Sequence, residues 1–593
     1  MNPAQRGSGM RRTRRNRLAT VALATTLATG GAAAVSDAWA GATLPADAST
    51  TGTLETPAKA GQSRTDGSSL AARLRAAARK GVVGSGRPGA PKLPTGGISR
   101  IIGGTPISIG SAPSMVQLWY LLDDGTAMFC GGTLVAPDKV LTAAHCVAGL
   151  DWKSNGLVFY GTSTLADPNA TPVGVWRQWS HPSFLGNTQD DLGNDVAVLT
   201  LDQPVRMPTT KLVAAGDTAS YAPGTTGTVY GWGLTTGADD PDADLSPQLR
   251  RATLPVVSDS ACATAMNSLP DTKGYFAAGK MFCAGKPASG TTAGTVSSCH
   301  GDSGGPLVVN GRIAGIVSWG APDCVEKGGY SVFTKLSAYT ATALERITDT
   351  DFTGDGKADL LVRTSSGQGY VYEGATMRYR ASTGTGWNSF NKVLQTDLDR
   401  DGVNDLIERG TNGSLYREYW TGSDWTVTRL ATGWGTVRQI VTPGDLTGDY
   451  LPDLLTVDSA GKVWVYPGKG NGSFGSRFQV GSGLQGLSQL VGHGDVTGDG
   501  KADLVGRTSA GALYLYPGAG NGTFGARRTL SSSGFTSANA LAAVGDVNND
   551  GHADLLIRFT SGYLYLYPGK GNGSFGAKIQ MGTGSFGSYT LLG

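Results

Sequence analysis

Charged side chains are scarce in this sequence. Asp, Glu, Lys and Arg make up 16% of its 593 residues, against about 25% in typical soluble proteins. This shortage argues against a coiled coil or a helical bundle. The formal net charge is only +3, which excludes a nucleic-acid-binding protein with a large basic face. Glycine is plentiful instead, with 90 residues, and indicates β structure rich in turns.

Long apolar runs are also missing, except for one near the N-terminus. Residues 18–35 are apolar and rich in alanine, arginines precede them, and Ala-Trp-Ala at 38–40 has the small-x-small pattern of a cleavage site. We interpret residues 1–40 as a secretory signal peptide, with a membrane anchor as the alternative. No other stretch is long enough to span a bilayer. We therefore predict a secreted, extracellular protein without a membrane span.

Cysteine is rare, and its six residues all lie between Cys130 and Cys324. An even number confined to one region predicts a disulfide framework formed in an oxidising compartment. Six cysteines allow fifteen pairings, and spacing alone does not choose among them.

Residues 41–100 contain no convincing hydrophobic core, because Ala, Ser, Thr, Gly and Pro dominate them. Residues 69–80 can form a short basic helix, and residues 81–97 are typical of a flexible linker. A disordered spacer and a propeptide both fit this composition. The sequence that follows favours a propeptide.

A set of short motifs occurs in a fixed order after residue 100. The motifs are Phe129-Cys130-Gly131-Gly132, Leu141-Thr142-Ala143-Ala144-His145-Cys146, Asp195-Val196-Ala197-Val198-Leu199, Cys299-His300-Gly301-Asp302-Ser303-Gly304-Gly305-Pro306 and Ser318-Trp319-Gly320. This ordered set resembles the chymotrypsin/trypsin family of serine endopeptidases over residues 101–348. The resemblance implies a double β-barrel and peptide-bond hydrolysis.

The chemistry of that reaction needs the residue types found here. A serine hydroxyl is a weak nucleophile until a neighbouring base accepts its proton, and histidine has a suitable pKa. Family position assigns Ser303 as nucleophile, His145 as base and Asp195 as the orienting carboxylate. Asp195 is preferred over Asp190 and Asp191, because a buried-strand pattern follows it. The N–H groups of Gly301 and Ser303 correspond to the family's oxyanion hole.

The resemblance also implies the disulfide pairs and an activation step. The pairs are Cys130–Cys146, Cys262–Cys283 and Cys299–Cys324. Family members are made as zymogens, so cleavage after Arg100 would free the amine of Ile101 to pair with Asp302. Arg100 before the cut implies that a protease with a preference for basic residues activates this chain.

The substrate pocket is predicted from three positions. Ser297 occupies the pocket base, where the trypsin branch has an aspartate, so no anion is present to pair with an Arg or Lys side chain. Gly320 leaves one wall open, and Ser331 is the third wall position. We predict cleavage after aromatic or large apolar residues, with small apolar residues as the alternative.

The C-terminal part contains five repeats spaced 46 to 51 residues apart, each starting with an Asp-rich loop. The repeats resemble the FG-GAP (VCBS-like) repeats of integrin-type β-propellers. We predict an all-β protein in which a chymotrypsin-like double barrel precedes a five-bladed propeller. Residues 589–593 match the strand missing from the first repeat, and would close the ring. A partial or extended array is the alternative.

The predicted domains follow from these patterns. They are a signal peptide at 1–40, a propeptide or linker at 41–100, a protease domain at 101–348 that ends in a helix with apolar residues from Leu336 to Ile347, and a repeat propeller at 349–593.

Oxygen donors at loop positions 1, 3, 5 and 9, with glycine at 6, are typical of a calcium-binding turn. The third loop departs, because Tyr450 replaces the glycine and Pro452 stiffens the turn. Acidic turns without metal are the alternative. The predicted structural calcium ligands are Asp351, Thr353, Asp355, Asp359, Asp397, Asp399, Asp401, Asp405, Asp445, Asp449, Asp453, Asp495, Thr497, Asp499, Asp503, Asp546, Asn548, Asp550 and Asp554.

Three functions fit the sequence. The first is a secreted endopeptidase that acts on proteins or peptides, needs no cofactor for catalysis and has a propeller for targeting or stability. The second is an adhesion or binding protein with a non-catalytic protease-like scaffold. The third is a regulatory protease specific for one partner. A glycan or a cell-surface ligand of the propeller is a further expectation, with Trp387, Trp420, Trp425 and Trp434 as candidate contacts.

Overall fold

The computed structural model describes residues 70–77, 82–84, 101–186, 192–238, 245–347, 350–353, 356–421, 424–582 and 586–593. The predicted signal peptide at 1–40 lies outside these ranges, and so do Arg100 and Asp355. No helix of the described residues is both long enough and apolar enough to cross a membrane.

The first part of the chain forms a closed barrel. The elements of this part are helix α1 (70–77), β1 (Val82–Gly84), β2 (Thr105–Pro106), β3 (Met115–Leu121), β4 (Ala127–Ala136), β5 (Lys139–Thr142), helix α2 (Trp152–Asn155), β6 (Gly156–Tyr160), β7 (Thr171–Ser180) and β8 (Ala197–Leu201). Strand β2 pairs with the second barrel. Six strands follow the order β4-β3-β6-β7-β8-β5, and β5 pairs back to β4. All seven residues of β3 are buried, because apolar clusters cover both of its faces.

A second barrel follows. Its elements are β9 (Thr226–Gly231), β10 (Arg250–Pro255), helix α3 (Asp259–Ser268), β11 (Met281–Ala284), β12 (Pro306–Val309), β13 (Arg312–Trp319), β14 (Ser331–Lys335) and helix α4 (Thr340–Ile347). The sheet order is β11-β14-β13-β12-β9-β10-β2. A bridge between Val256, the residue after β10, and Ala284 of β11 closes the barrel. The predicted double barrel is therefore confirmed.

Helix α1 lies on the first barrel. Leu70, Ala71, Leu74 and Ala77 are buried, and this spacing places them on one helical face. They belong to the same apolar cluster as Trp119. Strand β1 pairs in parallel with β4. Part of the region predicted to lack a core thus adds apolar surface to the barrel.

The C-terminal residues form five four-stranded antiparallel sheets. The first strands are β15 (Leu360–Thr364), β16 (Gly369–Tyr372), β17 (Arg380–Gly384), β18 (Phe390–Thr396), β19 (Asp405–Gly410), β20 (Leu415–Trp420) and β21 (Trp425–Ala431). The next are β22 (Gln439–Gly444), β23 (Asp453–Val457), β24 (Val463–Tyr466), β25 (Phe478–Gly481), β26 (Leu487–Val491), β27 (Leu504–Thr508), β28 (Leu513–Tyr516) and β29 (Arg528–Ser531). The last are β30 (Ala538–Ala542), β31 (Leu555–Phe559), β32 (Leu564–Tyr567), β33 (Ile579–Met581) and β34 (Tyr589–Leu592).

The sheets are the blades of a propeller, numbered here in chain order. The innermost strands contact one another in a ring, β34-β18-β22-β26-β30 and back to β34. Strand β34 pairs antiparallel with β15, so that Leu592 lies opposite Val362. The last residues therefore complete blade 1, as the sequence predicts, and the five-bladed arrangement is confirmed.

Short 3-10 helices connect several strands. They span Ile109–Ser111, Ala144–Cys146, Ala219–Tyr221, Pro270–Thr272, Leu336–Ala338, Trp387–Ser389, Trp434–Thr436 and Leu484–Gly486. The helix predicted near residues 336–347 is present as the turn Leu336–Ala338 followed by α4.

Closure by β34 makes a testable prediction. Leu592 is buried in an apolar cluster with Val362, so Leu592→Asp would bury a charge without a partner. We expect the free energy of unfolding to fall by about 3 kcal/mol, measured by urea denaturation in a Ser303→Ala background. Thr590→Asp is the control, because Thr590 lies on the same strand but is exposed. Equal stability of the two variants would contradict this closure.

Candidate active site

Asp195 and His145 form a doubly hydrogen-bonded pair. His145 Nδ1 lies 2.8 Å from Asp195 Oδ2, and the backbone N–H of His145 donates to Asp195 Oδ1 at 2.9 Å. The 3-10 turn Ala144–Cys146 presents His145, and Asp195 lies two residues before β8. The two contacts fix both the position and the ring orientation of the histidine.

Asp195 is 3% exposed, and other polar groups surround it. Ser318 Oγ donates to Asp195 Oδ2 at 2.6 Å, and Thr334 Oγ1 donates to the carbonyl of Asp195 at 2.8 Å. Burial alone would raise the pKa of Asp195, but the charge of His145 and the hydrogen bonds from His145 and Ser318 outweigh it and lower the pKa. The carboxylate therefore stays ionised beside the imidazole.

Ser303 lies in a tight loop against the first barrel. Its carbonyl accepts from Gly131 N–H at 2.8 Å. Gly301 and Gly304 have φ of +90° and +78°, which favours glycine. A Cβ on Gly304 would also collide with Thr142. Within the described residues, the N–H groups of Gly301 and Ser303 donate to no backbone carbonyl. They are therefore free to bind a substrate oxygen.

The three disulfides are Cys130–Cys146, Cys262–Cys283 and Cys299–Cys324. These are the pairs that the family resemblance implies. The first holds the turn that carries His145, and the third links the Ser303 loop to residue 324.

Ser297, Ser331 and Gly320 lie in one region. Ser297 Oγ donates to the carbonyl of Cys324 at 3.1 Å, and Ser331 Oγ accepts from Ser298 N–H at 2.9 Å. A Cβ on Gly320 would lie 3.4 Å from the carbonyl of Tyr330. Each of the two serine hydroxyls thus makes a hydrogen bond to a backbone group of this region.

Asp302 and Ile101 are both fully buried. Asp302 Oδ1 accepts from Gly233 N–H at 2.8 Å, and Oδ2 accepts from Cys299 N–H at 3.0 Å. Burial raises the pKa of Asp302 to about 7, although these two donors act in the opposite direction. A positive charge near this carboxyl would return its pKa towards the ordinary range.

Sequence reasoning did not identify Tyr339 as part of this region. Its hydroxyl accepts from Asn194 N–H at 3.1 Å and donates to Asn194 Oδ1 at 3.2 Å, directly before Asp195. His181 packs against the same ring, and burial lowers the pKa of His181 to about 4. His300 is a neighbour of Ser303 in sequence, but its Nε2 lies 2.9 Å from the carbonyl of Pro322.

The Asp-rich loops of the propeller face the barrels. In blade 1, Arg177 donates to the carbonyl of Asp351. In blade 3, Tyr450 Oη accepts from Leu212 N–H at 2.8 Å. In blade 5, Arg346 Nη2 lies 3.1 Å from Asp546 Oδ2. Tyr450, which breaks the loop motif in sequence, is thus a contact with the barrels.

Of the four tryptophans proposed as ligand contacts, Trp387 and Trp434 are buried in apolar clusters between blades. Trp420 and Trp425 form a half-buried pair, with ring centroids 5.8 Å apart.

Comparisons with known proteins agree with this geometry. A family model described as Trypsin matches residues 101–343, and an FG-GAP-like repeat model matches residues 445–505 and 495–557. Trypsin of Saccharopolyspora erythraea is 38% identical over 248 residues, which is 42% of this chain and 98% of that protein. A vitellin-degrading protease of Bombyx mori is 36% identical, over 44% of this chain and 89% of that protein. Kallikrein-7 of Homo sapiens is 34% identical, over 41% of this chain and 85% of that protein.

Asp302 generates a prediction about pH. An unfolded aspartate has a pKa of about 3.9, below the folded value of about 7. The folded chain therefore binds an extra proton between these values. The contribution of Asp302 to stability is fully present below about pH 4 and is lost as the pH rises through 7. The prediction concerns the chain before cleavage after Arg100, with Ser303→Ala present throughout. We expect the free energy of unfolding of the chain with Asp302, relative to the chain with Asp302→Asn, to fall by about 3 kcal/mol between pH 5 and 8.

Urea denaturation at the two pH values measures this difference. Asp271→Asn is the control, because Asp271 is exposed. A difference between parent and Asp302→Asn that does not change with pH would contradict a raised pKa for Asp302.

Proposed function

Because this chain belongs to the trypsin family of serine endopeptidases, we propose that it is a secreted enzyme that hydrolyses peptide bonds with Ser303, His145 and Asp195. The observation that carries the proposal is the 2.8 Å contact between His145 Nδ1 and Asp195 Oδ2. It holds the proton on Nδ1 and leaves Nε2 as the base. Nε2 is buried and has no hydrogen-bond partner among the described residues, so it is available to Ser303.

The proposed reaction uses these groups in turn. His145 Nε2 accepts the Ser303 hydroxyl proton as Oγ attacks the scissile carbonyl, and then donates it to the leaving amine. Water hydrolyses the acyl-enzyme by the same path. Asp195 stabilises the imidazolium without taking its proton. The N–H groups of Gly301 and Ser303 bind the oxyanion, and each such donor lowers the barrier by about 3 kcal/mol.

The proposed preference is for aromatic or large apolar residues before the scissile bond. Ser297 supports it, because a neutral hydroxyl at the pocket base gives no counter-charge to Arg or Lys.

We propose that the enzyme is made as a zymogen. Cleavage after Arg100 by a protease that prefers basic residues would free the amine of Ile101, and that amine would pair with Asp302. The burial of both residues supports this pairing, because an ion pair would replace an uncharged carboxyl in a closed site. The predicted signal peptide and the three disulfides support secretion.

Calcium is the proposed ligand of the Asp-rich loops, and the blade 4 loop fits it. Carboxylate oxygens of Asp495, Asp499 and Asp503 lie within 4.8 Å of one another, which lets one ion bind all three at 2.3–2.6 Å. Asp495 and Asp499 also line a cleft of about 510 Å³ beside residues 211–217, which gives solvent access. A bound ion would supply positive charge among these carboxylates.

The proposed role of the propeller is to stabilise the protease domain. Its loops contact the barrels through Arg177, Lys211 and Arg346, so ordering the loops would order the contact surface as well.

The catalytic assignment predicts that Ser303→Ala lowers kcat/KM by a factor of about 10³ or more. The measurement is a cut-site profile of the protein, activated to begin at Ile101, on a denatured protein mixture read by mass spectrometry. We expect new termini after Phe, Tyr or Leu that are absent with Ser303→Ala. Cuts after Arg or Lys instead would overturn the pocket assignment. No cuts beyond the control would leave the adhesion protein or a protease specific for one partner.

The calcium assignment predicts that a chelator lowers the Tm of the full chain carrying Ser303→Ala. Saturation of one site at 100 times its Kd stabilises the folded state by about 2.7 kcal/mol. Differential scanning calorimetry with calcium, with chelator and with magnesium at equal ionic strength measures the effect. The same Tm in all three would refute the calcium assignment.

A further inference from the structure

Blade 2 differs from the other four blades at two positions that lie together. Its loop carries a carboxylate, Asp399, at the third position. The other loops carry a neutral side chain there: Thr353, Thr447, Thr497 and Asn548.

The second difference lies on the third strand of the blade. In β20, Arg417 lies opposite Ile407 of β19. Ile407 is the second residue after Asp405, the last aspartate of the loop. The same register position is aliphatic in the other blades: Val371, Val465, Leu515 and Leu566. An arginine has thus replaced a core residue next to the loop that gained a carboxylate.

The guanidinium of Arg417 lies among the carboxylates of the loop. Its Nε lies 2.8 Å from Asp405 Oδ2, and its Nη2 lies 3.0 Å from Asp405 Oδ1. Nη2 also pairs with Asp399 Oδ2. Arg417 is only 5% exposed, and a Cβ on Gly472 of the next blade would collide with its guanidinium.

Arg417 also replaces a backbone donor that the other blades share. In those blades, Oδ1 of the last aspartate accepts from a glycine N–H at 2.8 to 3.0 Å, and the donors are Gly374, Gly468, Gly518 and Gly569. In blade 2 the equivalent position is Trp420, within the hairpin of β20 and β21. Arg417 Nη2 binds Oδ1 of Asp405 instead.

The carboxylates of Asp397, Asp399 and Asp405 have oxygens within 4.8 Å of one another, and a cation among them would offset their mutual repulsion. We propose that the Arg417 guanidinium is the permanent cation of the blade 2 loop, and that this loop takes no calcium. The guanidinium uses both oxygens of Asp405 and one of Asp399, which calcium would otherwise bind. A second cation in contact with it would be repelled. The inference rests on the proposed function, in which other loops of the propeller bind calcium.

Matched substitutions at loop position 5 test the calcium part. Asp401 in blade 2 and Asp499 in blade 4 are both half-buried. The calcium content of the full chain carrying Ser303→Ala is measured by elemental analysis after dialysis against a fixed calcium concentration. We expect Asp499→Asn to lose one ion per chain and Asp401→Asn to lose none. Loss of an ion from Asp401→Asn would overturn the proposal.

A second set of variants tests the guanidinium itself in chelator. We expect Arg417→Leu to lower the Tm by at least about 5 °C, because it leaves buried carboxylates unpaired. Adding Asp399→Thr, which restores the pattern of the other blades, should recover part of this loss. When Arg417→Leu is instead dialysed against calcium, as in the first experiment, we expect it to hold one calcium ion more per chain than the parent. The single variant Asp399→Thr completes the comparison. If the Tm change of the double variant equals the sum of the changes in Arg417→Leu and Asp399→Thr, the two side chains do not interact and the proposal is overturned.

The two experiments separate failure of this inference from failure of the calcium assignment. If the parent chain holds no calcium, the calcium assignment fails, and the Tm cycle in chelator still decides the role of Arg417. If Asp499→Asn and Asp401→Asn each lose an ion, the calcium assignment stands and this inference fails.

Discussion

Burial of two ionisable side chains on helix α4, Glu345 and Arg346, constrains the whole molecule. Each residue is 3% exposed, and burial raises the pKa of the Glu345 carboxyl to about 8. Buried polar groups are costly unless they are hydrogen-bonded, and a buried charge such as Arg346 also needs a partner. Their partners come from the propeller: Glu345 accepts from Asp495 N–H at 2.8 Å, and Arg346 donates to Asp546 and to the carbonyl of Gly356. These two side chains of the last helix before the propeller thus find hydrogen-bond partners in the blades.

The same helix follows directly on a residue that positions the segment before Asp195. Tyr339 precedes α4 and binds Asn194 through two hydrogen bonds, and Asn194 precedes Asp195. Arg400 of blade 2 reaches the other end of the helix, where it donates to the carbonyl of Ile347 at 2.5 Å. Propeller, helix α4 and Asp195 therefore form one continuous packed region, which supports the proposed stabilising role of the propeller.

The five loops show how one motif acquires different surroundings. Their spacing of aspartates is nearly the same, yet the basic partner comes from the barrels in blades 1 and 5 and from the blade itself in blade 2. The tyrosine in blade 3 is a contact with Leu212. Loops of similar sequence therefore differ in the charge around them.

The sequence by itself determined the double barrel, the five blades and the family, because these depend on short motifs and on a repeat whose residues are close in the chain. The contact of His145 with Asp195 followed from family position, and β34 followed from a strand missing in the first repeat. Only the tertiary structure decided the partners of the buried charges, among them Arg346 with Asp546 and Arg417 with Asp399. Arg346 and Asp546 are 200 residues apart in the chain, and no local pattern records which side chains meet when two folded domains pack. The place of Arg417 likewise depends on strand register, which emerges only when the blade is assembled.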